Sequence, residues 1–88
     1  MLQLTKHALQ RMNQRGITKQ MIELALSYGR FVKDKVVLGK KEIKRLIRKY
    51  PDLKTDLLKL FDKGGLVVVL EGNYIITLYK PKKGICHG

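Results

Sequence analysis

The spacing of apolar residues at the start of the chain predicts two short helices. Thr5 is placed to cap the first helix, and Gly16 is placed to end it. The next segment repeats this arrangement, with Thr18 as the cap and Gly29 at the end. We therefore expect one helix between each threonine and the glycine that follows it.

Two later parts of the chain have the pattern of β-structure. Between Arg30 and Leu38, two short β-prone runs flank the polar turn Lys33-Asp34-Lys35. The stronger signal is a hairpin in which the arms 66–70 and 74–79 flank a turn at Gly72-Asn73. Because the first arm is apolar on both faces, we expect it to be a central strand that is covered on both sides.

A helical insert separates these two β regions. The helical period returns from Lys40 to Tyr50, and Pro51 then breaks it. Asp52 is placed to cap a further helix that ends at Gly64-Gly65. The insert therefore spans about residues 40–63.

This order of elements predicts a single α+β domain over residues 1–80. Two N-terminal helices would pack on a small antiparallel sheet, with the helical insert before the C-terminal hairpin. Residues 81–88 are basic and contain glycine, and we expect them to form a flexible tail.

The charge of the chain narrows the classes of partner. Nineteen Lys and Arg residues stand against seven Asp and Glu, giving a net charge of +12 on 88 residues. Solubility of a small domain needs a net charge of only about 2–8. A field of this sign attracts polyanions, so nucleic acid, free or on the ribosome, is the expected partner. An acidic protein is the competing partner, and both can use one surface.

The composition excludes several other classes. No apolar run reaches the length of about 18 residues that a membrane span needs. The single cysteine, Cys86, excludes an internal disulfide, and we expect a cytoplasmic location. Two histidines and one cysteine are too few for a metal site, and no glycine fingerprint for a dinucleotide is present. We expect neither a metal nor a cofactor.

The first helix carries a stripe of residues that is suited to phosphate chemistry. His7, Arg11 and Arg15 follow one another about 40° apart around the helix axis, beside the apolar face. An imidazole can act as a general base or acid, and arginines can bind phosphate through two hydrogen bonds. The alternative is a histidine near the cap with two solvated arginines.

The last strand and the insert supply two further candidate sets. Thr77 and Tyr79 share one face of the strand, and Lys80 follows them, so hydroxyls and a charge lie together. The alternative is an ordinary half-buried strand pair. Nucleic-acid contacts are expected from a basic helix and the residues near the tail: Lys40, Lys41, Lys44, Arg45, Arg48, Lys49, Lys80 and Lys82. The alternative for the helix is a solvated charged face.

The segment from Leu4 to Thr18 contains the run His-Ala-x-x-Arg-Met-x-x-Arg-Gly-Ile, and the hairpin closes with Ile-Thr-Leu-Tyr at 76–79. These features resemble the small bacterial and phage proteins of the domain-of-unknown-function 4258 family. The likeness covers roughly residues 4–38 and 66–80, and the insert departs from the more compact family pattern.

That family is similar to the RelE-like toxins, which have two helices followed by a curved antiparallel sheet. The resemblance implies a metal-independent endoribonuclease in a toxin–antitoxin context, with an acidic antitoxin protein as a partner. His7, Arg11, Arg15, Thr77 and Tyr79 would then be the catalytic residues, and Lys80 would assist them. The rival hypothesis is a non-catalytic module of the same fold that binds nucleic acid or protein.

Overall fold

A five-stranded sheet and four helices make up residues 3–81, the part of the chain that the computed structural model describes. The strands are β1 (Gln3–Leu4), β2 (Arg30–Val32), β3 (Lys35–Leu38), β4 (Leu66–Glu71) and β5 (Tyr74–Tyr79). The helices are α1 (Lys6–Arg15), α2 (Lys19–Tyr28), α3 (Lys40–Lys49) and α4 (Lys54–Asp62), with a short 3-10 turn at Pro51–Leu53 before α4.

The two N-terminal helices begin at the predicted threonines. The Thr5 hydroxyl oxygen accepts a hydrogen bond of 3.2 Å from the backbone N–H of Ala8, and Thr18 accepts one of the same length from Met21. α1 ends at Gly16, which has a φ of 65° in the left-handed region that glycine adopts without strain. The predicted bounds of both helices are confirmed.

The start of α4 corrects one prediction. Asp52 lies within the 3-10 turn, and Leu53 is the residue that precedes α4, without a side-chain cap. The turn closes when the backbone N–H of Leu53 donates to the Tyr50 carbonyl oxygen at 3.0 Å. The prediction that Asp52 caps this helix was wrong because Pro51 starts a separate turn before the helix begins.

The sheet has the strand order β1-β5-β4-β3-β2, with β4 at its centre as predicted. β2, β3, β4 and β5 pair antiparallel, and β1 adds a parallel strand beside β5. The α+β class is confirmed, and the sheet is mixed rather than wholly antiparallel. β1 has only two residues, too few to produce an alternating pattern in the sequence.

A bulge in β5 decides which side chains enter the core. Thr77 pairs with Val69, and Ile75 pairs with Leu70, so Ile76 has no partner between them. Without this extra residue, Ile75 and Leu78 would point to opposite faces of the sheet. With it, both are buried in the core.

All four helices share one core with a single face of the sheet. Val68, on the central strand, is fully buried and belongs to one apolar cluster that includes residues from every helix. Ile43 and Leu57 bring α3 and α4 into that cluster, so the insert contributes to the core. Of the predicted basic tail, all residues except the buried Pro81 lie outside the described residues.

Candidate nucleic-acid interface

The first helix lies along the last strand, and Thr5 fixes where it starts. The Thr5 hydroxyl lies 3.2 Å from the carbonyl oxygens of both Ile75 and Ile76, toward which it donates. At 1.5 Å per residue, the ten residues of α1 extend about 15 Å from this point. Arg15 therefore lies near the end of β5, where Tyr79 is located.

A cavity of 270 Å³ opens at this end of the sheet. It lies where the end of α1, the loop after α4 and the end of β5 meet. Three of its lining side chains are cations and one is a phenol. Within residues 3–81, no carboxylate lines the cavity. The lining residues are Gln14, Arg15, Ile17, Lys63, Gly65, Leu66, Tyr79 and Lys80.

Lys63 connects two walls of the cavity. Its Nζ donates a hydrogen bond of 2.8 Å to the Arg15 carbonyl oxygen, at the C-terminal end of α1. A cation at this position complements the negative end of the helix dipole. An ammonium group has three N–H donors, so two remain for a ligand in the cavity.

Two glycines in the loop after α4 determine how closely Lys80 and β3 approach the cavity wall. Gly64 and Gly65 have φ values of 89° and 103°. A β-carbon on Gly64 would lie 2.9 Å from Cε of Lys80, and one on Gly65 would collide with the Leu38 carbonyl oxygen. Because the loop has no side chain at Gly64, the Lys80 side chain can lie across it. The absence of a side chain at Gly65 lets the loop pack against β3.

Tyr79 lies on the sheet face opposite the helices, at the rim of the cavity. The Leu78 side chain next to it enters the core, whereas Tyr79 is only half-buried. The Lys35 ammonium lies 5.9 Å from the centre of the Tyr79 ring, within the range of a cation–π interaction. Tyr79 therefore brings both a hydroxyl group and an aromatic surface into a cationic environment.

The structure brings together some of the predicted catalytic residues and separates others. Arg15, Tyr79 and Lys80 line the same cavity. His7 is exposed near the start of α1 and lies about 12 Å from Arg15 along the helix axis. Arg11 is half-buried between them, and Thr77 lies two residues before Tyr79; neither lines the cavity.

The predicted basic residues of the insert form the outer side of α3. Its inner side is buried through Ile43 and Leu46, and all six cations are exposed: Lys40, Lys41, Lys44, Arg45, Arg48 and Lys49. The Lys40 and Lys44 ammonium groups lie 5.3 and 5.6 Å from the centre of the Phe61 ring on α4.

The basic side of α3 begins next to the cavity. A β-carbon on Gly65, in the cavity wall, would lie 3.3 Å from Cα of Gly39, the residue that precedes α3. Phe61, which Lys40 and Lys44 flank, lies two residues before Lys63. The start of α3, which carries these cations, therefore lies beside the wall of the cavity.

Two polar side chains of the cavity, those of Lys63 and Gln14, were not predicted from the sequence as site residues. A cation directly before Gly64-Gly65 is the signal that marks Lys63, because a lysine at a helix end is placed for contacts with the loop. Gln14 has no such signal. The predicted contact Lys82 lies outside the described residues.

A larger concavity of 610 Å³ lies between β1, α1 and α2. Its walls are mainly apolar, with Leu4, Leu9, Ile22 and Leu26 among them, and its charged residues are one lysine and one glutamate. It contains none of the predicted site residues. Its chemistry does not suit a polyanion, so the cationic cavity is the better candidate.

Two further observations concern the described part of the chain. Within residues 3–81, no group of three or more His, Cys, Asp or Glu side chains is close enough to hold a metal ion. None of the helices in this range has the length and apolar composition that crossing a membrane requires.

The fold and the site thus define a small α+β domain with a cationic cavity at one end of its sheet. The chain belongs to the family described as "Domain of unknown function (DUF4258)", whose match covers residues 4–80. The match runs through the helical insert. No curated protein and no solved structure shows significant similarity to the chain.

Proposed function

We propose that this protein binds RNA and that a backbone phosphate enters the cavity between Arg15, Lys63 and Lys80. The convergence of three cations and the Tyr79 side chain on one cavity carries this proposal. A guanidinium group binds phosphate through two parallel hydrogen bonds, and ammonium groups add point charges. The Tyr79 hydroxyl provides a further donor for a phosphate oxygen.

The basic side of α3 supports the same proposal. A polyanion that is held at the cavity can extend onto the basic side of α3, because Gly39, the residue before α3, lies beside the cavity wall at Gly65. Each phosphate that these side chains neutralise releases counterions, which adds affinity without sequence preference. The cavity then fixes one phosphate, and α3 strengthens the attachment of the strand.

Metal-independent RNA cleavage is the second candidate, and the cavity supports it in part. In that reaction the ribose 2′-oxygen forms a bond to the adjacent phosphorus, and the bond from phosphorus to the 5′-oxygen breaks. Arg15, Lys63 and Lys80 would stabilise the added negative charge, and Tyr79 would give a proton to the leaving oxygen. A group must also accept the 2′-hydroxyl proton.

His7 is the imidazole that the sequence offers for that last step, but its place in the fold favours binding over cleavage. A general base must come within about 3 Å of the proton that it takes. His7 lies about 12 Å along α1 from Arg15, away from a phosphate in the cavity. The second candidate function, cleavage in a ribosomal setting with an acidic antitoxin as partner, is supported by the family's likeness to RelE-like toxins.

Binding is tested with a fluorescein-labelled single-stranded RNA oligonucleotide, by anisotropy. The double variant Arg15→Ala/Lys80→Ala removes two cavity cations. Its matched control, Lys54→Ala/Lys59→Ala, removes two exposed lysines of α4 that do not line the cavity. We expect the cavity variant to bind at least about tenfold more weakly, since each charged hydrogen bond contributes a comparable factor. Equal losses in the two variants would contradict the proposal.

Cleavage is tested by incubation with total RNA in EDTA, with and without ribosomes. If the cavity is the active site, Tyr79→Phe abolishes cleavage and His7→Ala leaves it unchanged. A loss of about 10²–10⁴-fold in His7→Ala would instead assign acid–base catalysis to the histidine. Intact RNA in every reaction, together with RNA binding, supports the binding function alone.

A further inference from the structure

The outer edge of the sheet presents apolar side chains to solvent. Within residues 3–81, β2 is the last strand of the sheet, and its one partner there is β3. Phe31 is 66% exposed, the largest value among the large apolar residues that the structure describes, and Val32 is 45% exposed. An edge strand of this kind can accept a further strand.

The backbone of Phe31 points outward from this edge. The backbone N–H of Leu70 donates to the Asp34 carbonyl oxygen at 2.8 Å, so Asp34 directs its carbonyl toward β4. Backbone groups alternate in direction along a strand, so Lys35 faces β2 and exchanges both hydrogen bonds with its partner Val32. The next residue of β2, Phe31, therefore directs its N–H and C=O away from β3.

The two apolar side chains lie on opposite faces of the edge. Phe31 is in register with the buried Val36, which places it on the face that the helices cover. Val32 is in register with Lys35 and lies on the other face. A strand added beside β2 would thus find an apolar neighbour on each face as well as the free backbone groups of Phe31.

The charge around this edge determines which partner fits. Arg30, Lys33 and Lys35 surround the exposed residues, and the turn contains one acidic residue, Asp34. Two copies of the chain would bring these cations together at the same edge and repel each other. A nucleic acid has no backbone pattern that pairs with a β-strand.

We propose that β2 is the docking site for an extended, acidic segment of a partner protein, which joins the sheet as a sixth strand beside Phe31. Backbone hydrogen bonds supply attachment, and the alternating side chains supply selectivity. This interaction goes beyond RNA binding and does not depend on it. β2 is three strands from β5, or about 14 Å, so the cavity stays accessible when the edge is occupied.

The test uses the full chain labelled with ¹⁵N and a synthetic peptide of four Glu-Val repeats, blocked at both ends. We expect the amide signal of Phe31 to shift on titration and its hydrogen exchange to slow, because its N–H gains a partner. A peptide of four Lys-Val repeats has the same β-propensity and the opposite charge, and we expect it not to bind.

A matched pair of variants separates backbone pairing from side-chain contact. Phe31→Ala removes the ring, whereas Phe31→Pro removes the ring and the outward N–H. We expect Phe31→Pro to bind about three- to tenfold more weakly than Phe31→Ala, the factor for one hydrogen bond. The Phe31 N–H faces solvent, so proline removes no bond to β3; the unchanged amide shifts of Val36 and Val68 check that the sheet is intact.

Several results would overturn this proposal. Equal peptide affinity of the two Phe31 variants would show that the Phe31 N–H does not bond to the peptide. Shifts confined to α3 with unchanged exchange at Phe31 would show that the peptide binds by charge alone. No binding of the Glu-Val peptide at millimolar concentration would rule out the site. Shifts at Phe31 with single-stranded RNA, but not with the peptide, would assign this edge to nucleic acid.

Discussion

Lys63 and Arg15 lie 48 residues apart in the sequence and are joined by a 2.8 Å hydrogen bond from the lysine Nζ to the arginine carbonyl oxygen. This bond connects the end of the helical insert to the end of α1. It places one cation against the helix terminus and leaves the Arg15 side chain free for the cavity. The cavity thus depends on a contact between distant parts of the chain.

The first prediction concerns this bond. Lys63→Met keeps a long side chain but removes the ammonium group, so it removes the bond to Arg15 and one cation of the cavity. We expect a loss of about 0.5–1 kcal/mol in the free energy of unfolding by urea denaturation, and weaker RNA binding. Lys59→Met, at an exposed position on α4, is the control and should change neither. Equal effects of the two substitutions would contradict the assigned role of Lys63.

Thr5 is predicted to stabilise both α1 and its position on the sheet. Thr5→Val removes the acceptor for the Ala8 N–H and the donor toward Ile75 and Ile76. We expect a loss of about 1–3 kcal/mol in unfolding free energy, from the cap and the strand contact together. Thr5→Ser keeps the hydroxyl and should lose less than about 1 kcal/mol. A stable Thr5→Val variant would show that packing alone positions α1.

The two loop glycines should respond differently to alanine. Both glycines have a positive φ that strains any side chain, and at Gly65 a β-carbon also collides with the Leu38 backbone. At Gly64 it meets only the flexible end of Lys80. Gly65→Ala should therefore lower the melting temperature more than Gly64→Ala, with a loss of at least about 2 kcal/mol. The same melting temperature for both variants would mean that the loop is not packed against β3.

The basic side of α3 should control affinity and its dependence on salt. Reversing Lys44, Arg45 and Arg48 to Glu should weaken RNA binding and flatten the salt dependence. Each lost phosphate contact lowers the slope for a single strand by about 0.7. Reversing the exposed residues Lys19, Arg30 and Lys33, which lie outside the cavity and α3, to Glu gives a protein of the same net charge and is the control. If both triple variants have the same slope, net charge rather than the position of α3 determines binding.

The parts of this fold that could be predicted from the sequence are those that local chemistry determines. The caps Thr5 and Thr18, and the turn at Gly72-Asn73, act within a few residues, and each lies where the pattern indicated. The apolar arm 66–70 is the central strand, as its pattern indicated, and its valines on both faces are buried. Asp52 does not cap α4 because it lies in a separate 3-10 turn, which the sequence pattern did not indicate.

The parts that could not be predicted depend on contacts between distant segments. β1 forms only because α1 starts beside β5, and the bulge at Ile76 appears only in the pairing register. Arg15, Tyr79 and Lys80 were chosen for their chemistry and do meet at one cavity. Lys63 has a local signal, a cation directly before two glycines, but its bond to Arg15 depends on how the insert packs against the end of α1.

The central claim is that RNA enters the cavity at the end of the sheet. The most direct test is a titration of the ¹⁵N-labelled protein with a short single-stranded RNA oligonucleotide, followed through backbone amide shifts. We predict that the largest shifts occur in the segments 14–17, 63–66 and 79–80, which contain the residues that line the cavity, with smaller shifts along α3. Shifts that are largest at β2 or around His7, with the cavity residues unchanged, would contradict the account.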